Sequence, residues 1–126
     1  MTRLLLDTCI LIDWAIDPKR LRDEGRISIA NPSSIVYVSA VSAFEIAIKQ
    51  QIGKLKSPSD VGYLISDNRF FELPVSIEHA SHIRRLPLLH KDPFDRLLIS
   101  QARCEKLILV TRDRDIQKYD VPTLTA

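Results

Sequence analysis

The chain has 126 residues, the length of one ordinary domain, and its 45% hydrophobic and 27% charged content describes a soluble globule with enough apolar material for a core. A formal charge of +2, from 18 Lys+Arg against 16 Asp+Glu, excludes binding of phosphates by bulk charge alone but leaves a nucleic-acid partner open. No apolar run approaches the roughly twenty residues that span a bilayer, and Asp7 interrupts the N-terminal leucines before a signal-peptide core can form, so a soluble cytoplasmic protein without membrane contact is expected.

Leu4 to Leu6 is a short apolar run ending at Asp7 and predicts a buried strand. Cys9 to Trp14, apolar except for Asp13, fits a short helix closed by Pro18, and Leu21 to Ala30 mixes charge with apolar residues at helical spacing. Asn31 to Ser34 has the residue types of a turn, and the β-branched and aromatic Ile35 to Val38 predicts a second strand. A helix is expected from Ser42, with Phe44, Ile48 and Ile52 as its buried face and Gly53 at its end. Lys54 to Ser59, with Pro58, reads as a polar loop, and Val61 to Asp67 as a further helix. Phe71 to Val75 predicts a strand at a sheet edge because of Pro74. Ile77 to Leu86 fits a helix with Ile77, Ala80 and Ile83 inward.

Asp92 is placed to cap the next helix, with Pro93 in its first turn and Phe94, Leu97, Leu98, Ile99 and Ala102 forming a wide apolar face. Leu107 to Val110 is the clearest buried strand, followed by a helical turn at Asp113 to Lys118 and a last short strand at Val121 to Leu124. With no repeat and no boundary, strands alternating with helices predict one α/β domain over residues 1–126 with a mainly parallel sheet. Cys9 and Cys104 both lie in apolar stretches, which predicts two buried thiols, with one disulfide as the alternative.

The functional signal is positional. Asp7 directly follows the first strand, Glu45 is expected in the first turn after the second, Asp95 opens the helix capped by Asp92, and Asp113 follows the Leu107 strand. In open α/β sheets the carboxyl ends of the strands form the crevice where ligands bind. Carboxylates gathered there repel one another and take up protons unless a cation sits among them. Oxygen ligands suit Mg²⁺ or Mn²⁺, and such an ion can activate water and stabilise an in-line phosphoryl transition state. Lys49, Arg96, Arg112 and Arg114 are candidates to steer a phosphate backbone.

Each acid also has a structural alternative. Ser42-Ala-Phe-Glu45 is a capping-box pattern, and Asp92 and Asp95 suit a helix N-terminus. Asp7, directly after a leucine strand, is costly to bury without a partner. Lys49 is placed for an intrahelical ion pair with Glu45. His79-x-x-His82 lacks two further zinc ligands and is expected at the surface, His90 belongs either to the groove or to a plain loop, and Trp14 to the core or an interface.

Four segments, "LLLDTCILIDW", "VSAVSAFEIAIKQQIGKL", "LPLLHKDPFDRLLISQA" and "LVTRDRDI", together resemble PIN domains, and within them the VapC-type ribonuclease toxins of bacterial and archaeal toxin–antitoxin pairs. The resemblance spans nearly the whole chain. It implies a three-layer α/β/α sandwich with a parallel sheet of four or five strands, and a metal-dependent endonuclease acting mostly on RNA. It further implies Asp7, Glu45, Asp95 and Asp113 as the catalytic acids that hold Mg²⁺ or Mn²⁺, with Asp115 the alternative fourth acid. By the same resemblance Asp92 caps the helix or supports the ligands, Thr8 and Thr111 orient a carboxylate or a water, and the partners are an inhibitory antitoxin and a second copy of the chain. Cys9 and Asp13 depart from the family pattern without removing any of the four acids.

Two other folds place acids at strand ends. A phosphoacceptor receiver domain would carry paired acids after the first strand, and a haloacid-dehalogenase-type phosphatase would carry D-x-D-x-T. Asp7-Thr-Cys-Ile fits neither. Within the PIN resemblance the alternatives are an RNA-processing or DNA-cleaving enzyme outside a toxin–antitoxin pair, and a catalytically weak binding module.

Overall fold

The computed structural model describes residues 1–56 and 60–126. Five strands form one sheet: β1 (Arg3–Leu6), β2 (Ile35–Ser39), β3 (Phe71–Leu73), β4 (Ile108–Thr111) and β5 (Thr123–Thr125). The order is β3-β2-β1-β4-β5, and every neighbouring pair is parallel. The helices are α1 (Thr8–Ile16), α2 (Asp23–Ala30), α3 (Ala40–Gln51), α4 (Val61–Asp67), α5 (Ile77–His82) and α6 (Pro93–Glu105), with 3₁₀ turns at Pro18–Arg20, Ile83–Arg85 and Ile116–Lys118.

The side-chain period of two along β1 divides the core. Leu4 and Leu6 face one cluster with Ile10, Leu11, Ile29, Val36, Val38 and Ile46. Leu5 faces the other with Leu98, Ile99, Ala102 and Leu109. All three β1 leucines are fully buried, as expected of a central parallel strand covered on both faces. The architecture is therefore the three-layer α/β/α sandwich, with five strands. β3 is an edge strand as predicted, but it ends at Leu73, before Pro74. The expected loop from Lys54 to Ser59 is described only to Lys56; its remainder, Pro58 included, lies outside the described residues.

Several sequence expectations need correction. The helix after β2 starts at Ala40, capped by Ser39 Oγ, which accepts the Val41 amide at 3.0 Å. The predicted Ser42 capping box does not form, and Glu45 sits in the second turn rather than the first. The buried face of α3 is Val41, Ser42, Glu45 and Ile46, whereas Phe44 and Ile52 are 61% and 58% exposed. Of the expected stripe only Ile48 is half-buried; Val41 and Ile46 supply the helix's apolar contact with the core instead, and Glu45 and Lys49 turn to a polar cavity.

In α5 the inversion repeats. Ile77 and Ala80 are exposed, Ile83 is half-buried, and His79, expected at the surface, is buried. His79 Nδ1 accepts the Ser76 amide while Ser76 Oγ accepts the His79 amide, a reciprocal cap that holds the imidazole inward. Both cysteines are free; Cys9 is exposed and Cys104 half-buried, so neither the buried pair nor the disulfide is present. Trp14 is core-side, tilted against Phe70, with its Nε1 donating to Asn68 Oδ1 at 3.0 Å.

Among the described residues, no helix is long and apolar enough to cross a membrane.

Candidate active site

The strand order reverses between β1 and β4, and a crevice forms at the carboxyl ends of strands at such a point. A cavity of about 540 Å³ lies there. Its walls carry Asp7, Glu45, Asp95 and Asp113, so all four predicted acids line one cavity, together with Thr8, Cys9, Asp13, Lys49, His90, Asp92 and Arg112.

Asp7 leaves β1 as the residue before α1. Its amide donates to Val110 O and its carbonyl accepts the Leu11 amide, which ties it to β4 and to the first helical turn. The side chain makes no capping bond. Its Oδ2 instead accepts the Thr111 hydroxyl at 2.8 Å, and Thr111 Oγ1 in turn accepts the Asp113 amide at 3.0 Å. Thr111 thus links the carboxylates that follow the two central strands. Burial pushes the Asp7 carboxyl up; the Thr111 and Thr8 hydrogen bonds oppose this, while the charges of Glu45 and Asp113 add to it.

Glu45 reaches the cavity from the second turn of α3. Its Oε2 takes the Lys49 ammonium at 2.8 Å, with the Glu45 side chain only 9% exposed. Its Oε1 is buried with no hydrogen-bond partner. The Lys49 ammonium is held above its usual pKa, first by this bond, with burial opposing. Behind Glu45, the buried Ser42 and Thr8 hydroxyls share a hydrogen bond of 2.9 Å and join α3 to α1.

Asp92 and Asp95 divide the two roles left open for them. Asp92 Oδ1 accepts the Phe94 and Asp95 amides at 2.8 and 3.3 Å, so Asp92 is the cap. Asp95 is free of that duty and lies with its Oδ2 2.8 Å from His90 Nε2. Burial, then the charges of Asp7 and Asp92, push its carboxyl up to about 7, against the pull of His90.

His90 is the residue that sequence reasoning left undecided. It lines the cavity, and its Nε2 is also 3.5 Å from Asp113 Oδ2. Tyr119 Oη fixes the approach by accepting the Leu89 and His90 amides. A clue existed in its place two residues before a helix cap that carries a second acid, but a loop histidine has no periodicity to mark it.

Asp113 Oδ1 accepts the Asp115 and Ile116 amides, leaving Oδ2 toward His90. Among the described residues, His90, Asp113 and Asp115 form a group whose ligating atoms all lie within 4.8 Å of one another. Asp113 lines the cavity and Asp115 does not; Asp115 Oδ1 is 3.2 Å from Lys118 Nζ.

Of the four steering cations, Lys49 and Arg112 line the cavity. Arg96 does not: its Nη2 donates to Ile83 O at 3.3 Å, because α6 turns that side chain toward the 3₁₀ segment. Arg114 is exposed and outside the cavity wall.

The donor set suits a hard divalent cation. Six carboxylates line one cavity, Asp7 and Asp95 with a raised affinity for protons, and one buried carboxylate oxygen, Glu45 Oε1, has no partner. An ion would satisfy that oxygen and offset the mutual repulsion.

A family model described as the PIN domain matches residues 4–122. The fold is similar to VapBC2 from Rickettsia felis, solved bound to a DNA fragment from its promoter, with a TM-score of 0.72, 16% identity, and 98% of each chain covered. It is similar to a toxin–antitoxin complex from Klebsiella pneumoniae, with a TM-score of 0.59, 20% identity and 91% of each chain covered. It is also similar to the PIN domain endonuclease Utp24, with a TM-score of 0.57, 17% identity, and coverage of 98% of this chain and 84% of that one. No significant match is found among curated protein sequences.

Proposed function

The chain belongs to the PIN domain family, and on that premise we propose that it is a metal-dependent endoribonuclease, the toxin of a toxin–antitoxin pair. One observation carries the proposal: Asp7, Glu45, Asp95 and Asp113, distant in the chain, line a single cavity in which Glu45 Oε1 is buried without a partner. The named toxin–antitoxin complex and the named endonuclease among the similar folds support it.

Asp7, Glu45, Asp95 and Asp113 would hold Mg²⁺ or Mn²⁺. When bound, the ion supplies Lewis-acid charge for in-line attack of water on a phosphodiester. The chain's own residues do the rest. Thr111 fixes the rotamer of Asp7 through its 2.8 Å bond. Lys49 balances one oxygen of Glu45 and leaves the other for the ion. His90 Nε2 stands 2.8 Å from Asp95 Oδ2 at the cavity wall and faces the carboxylates there.

The reading extends to one PIN domain over residues 1–126, to a cytoplasmic location, to an antitoxin that covers the cavity, and to a homodimer. The apolar groove of about 400 Å³ lined by Phe44, Val75, Ile83, Phe94 and Leu97 supports packing of a second copy there.

The test is cleavage of matched single-stranded RNA and DNA with Mg²⁺ or Mn²⁺, beside an EDTA control. RNA cleavage that EDTA abolishes is expected, and Mn²⁺ should raise the melting temperature. Cleavage of DNA alone would favour the DNA-cleaving alternative. Absence of both cleavage and metal stabilisation would reduce the chain to a binding module.

A further inference from the structure

An acidic cavity repels the polymer it is meant to cut, so a positive group has to hold the strand beside it. Lys49 is committed to the buried Glu45. Arg112 is differently placed. It follows β4 at the cavity wall, 41% of its side chain is exposed, and its Nη2 lies 2.8 Å from Asp13 Oδ2. The second oxygen of Asp13 is 3.5 Å from Arg20 Nη1. One carboxylate shared by two guanidiniums leaves the group positive, at the mouth of a negative cavity.

The geometry has a further consequence. A guanidinium offers a planar fork of N–H donors. The ion pair with Asp13 fixes one corner of that fork. A forked contact to two oxygens of one phosphate is the strong use of the edge that remains. Asp13, from α1, has only 19% of its side chain exposed, so it is an anchored support rather than a competing surface charge.

We propose that Arg112 binds an RNA phosphate flanking the scissile one, and that Asp13 is a positioning residue that holds the guanidinium at the rim. The inference rests on the nuclease reading for its substrate, and adds where the strand is gripped.

The experiment measures binding of a short fluorescein-labelled single-stranded RNA across a salt series. It uses the full chain carrying Asp7→Asn, so that binding is read without cleavage, and wild-type cleavage kinetics run alongside. Arg112→Gln should weaken binding about tenfold and make the slope of log affinity against log salt shallower by about 0.7, the signature of one lost phosphate contact on a single strand. Arg112→Lys should keep the slope and lose about threefold, because charge remains and the fork is gone. Asp13→Asn should weaken binding about threefold, Asp13→Glu should restore part of the loss, and Asp13→Asn should have no further effect once Arg112 is Gln. In the cleaving enzyme the same changes should fall on KM and leave kcat within about twofold.

Unchanged RNA affinity and salt slope in Arg112→Gln overturns the proposal and leaves the guanidinium to a protein carboxylate. Additive effects of Asp13→Asn and Arg112→Gln overturn the positioning role. If wild type cleaves nothing yet Arg112→Gln still loses RNA in this way, the nuclease reading fails and the phosphate site stands.

Discussion

Two buried polar regions of this molecule are built on opposite terms. Around His79 the buried side chains of Ser39, His79, Ser100 and Gln101 all find partners. His79 Nε2 meets Glu105 Oε2 at 2.7 Å, and Ser100 donates to the His79 carbonyl. Gln101 takes the Ser39 hydroxyl on its oxygen and gives its amide to the Pro74 carbonyl. This network joins β2, α5, α6 and the end of β3. In the acidic cavity, by contrast, carboxylates crowd together, two have a raised affinity for protons, and Glu45 Oε1 has no partner. Satisfied polar groups in a core add rigidity; an unsatisfied one costs stability and needs a reason. The first region is satisfied within the chain, and the second is not.

The largest break in this comparison is Asp7→Asn. The substitution keeps the shape and can keep the Thr111 contact, so the fold should survive. Cleavage should fall by at least about a hundredfold, since a preorganised charge at the reacting centre is lost. The check is a single-turnover RNA assay beside a melting curve. Activity near the wild-type level, with contaminating nuclease excluded, would detach the cavity from the chemistry.

The second break falls on the satisfied region. Gln101 is fully buried. Gln101→Leu keeps the volume roughly constant but strands the Ser39 hydroxyl and the Pro74 carbonyl. At about 1–3 kcal/mol for each of the two orphaned groups, a loss of about 2–6 kcal/mol is expected by denaturant titration. Mn²⁺ stabilisation should persist in full, because no proposed ligand is touched. Loss of the metal response would mean that the two regions are coupled.

The two regions also differ in how well the sequence announced them. The alternation of strand and helix was legible because buried parallel strands concentrate leucine and β-branched residues, as in Leu4–Leu6 and Ile108–Val110. Asp7 and Asp113 were legible because strand ends are fixed points in such a topology, whereas Glu45 and Asp95 reach the cavity from within α3 and α6. What misled was the assumption that an apolar stripe faces inward. Phe44 and Ile52 in α3 and Ile77 in α5 are exposed, while Glu45 and His79 are buried in their stead. In α3 Val41 and Ile46 make the core contact, and Glu45 beside them is turned to the cavity. In α5 the reciprocal cap between Ser76 and His79 selects the imidazole. Ser100 and Gln101 carry no signal of their own, since their burial depends on partners from Pro74, His79 and Ser39 that only the fold brings near. The expected strand Leu107 to Val110 is displaced by one residue, so that Thr111 ends β4 and turns its hydroxyl to Asp7.

The smallest effect sharpens the comparison most, because its sign reverses. In metal-free protein the Asp95 carboxyl is raised from 3.8 to about 7 by burial and by Asp7 and Asp92. A raised carboxyl binds its proton more tightly folded than unfolded. Its contribution is therefore full below about pH 4 and is lost as pH climbs through about 7. Asp95→Asn, neutral at every pH, does not suffer that loss. In EDTA the variant and the wild type should melt together near pH 4, and the variant should become more stable by several degrees by pH 8. With saturating Mn²⁺ at pH 8 the order should invert, since an ion that binds only the folded state stabilises in proportion to the logarithm of its occupancy ratio, and the variant has lost a ligand. A pH-independent gap in EDTA would show that Asp95 does not carry the strain of the cavity. A gap that Mn²⁺ fails to invert would show that the strain is real but is not relieved by the ion.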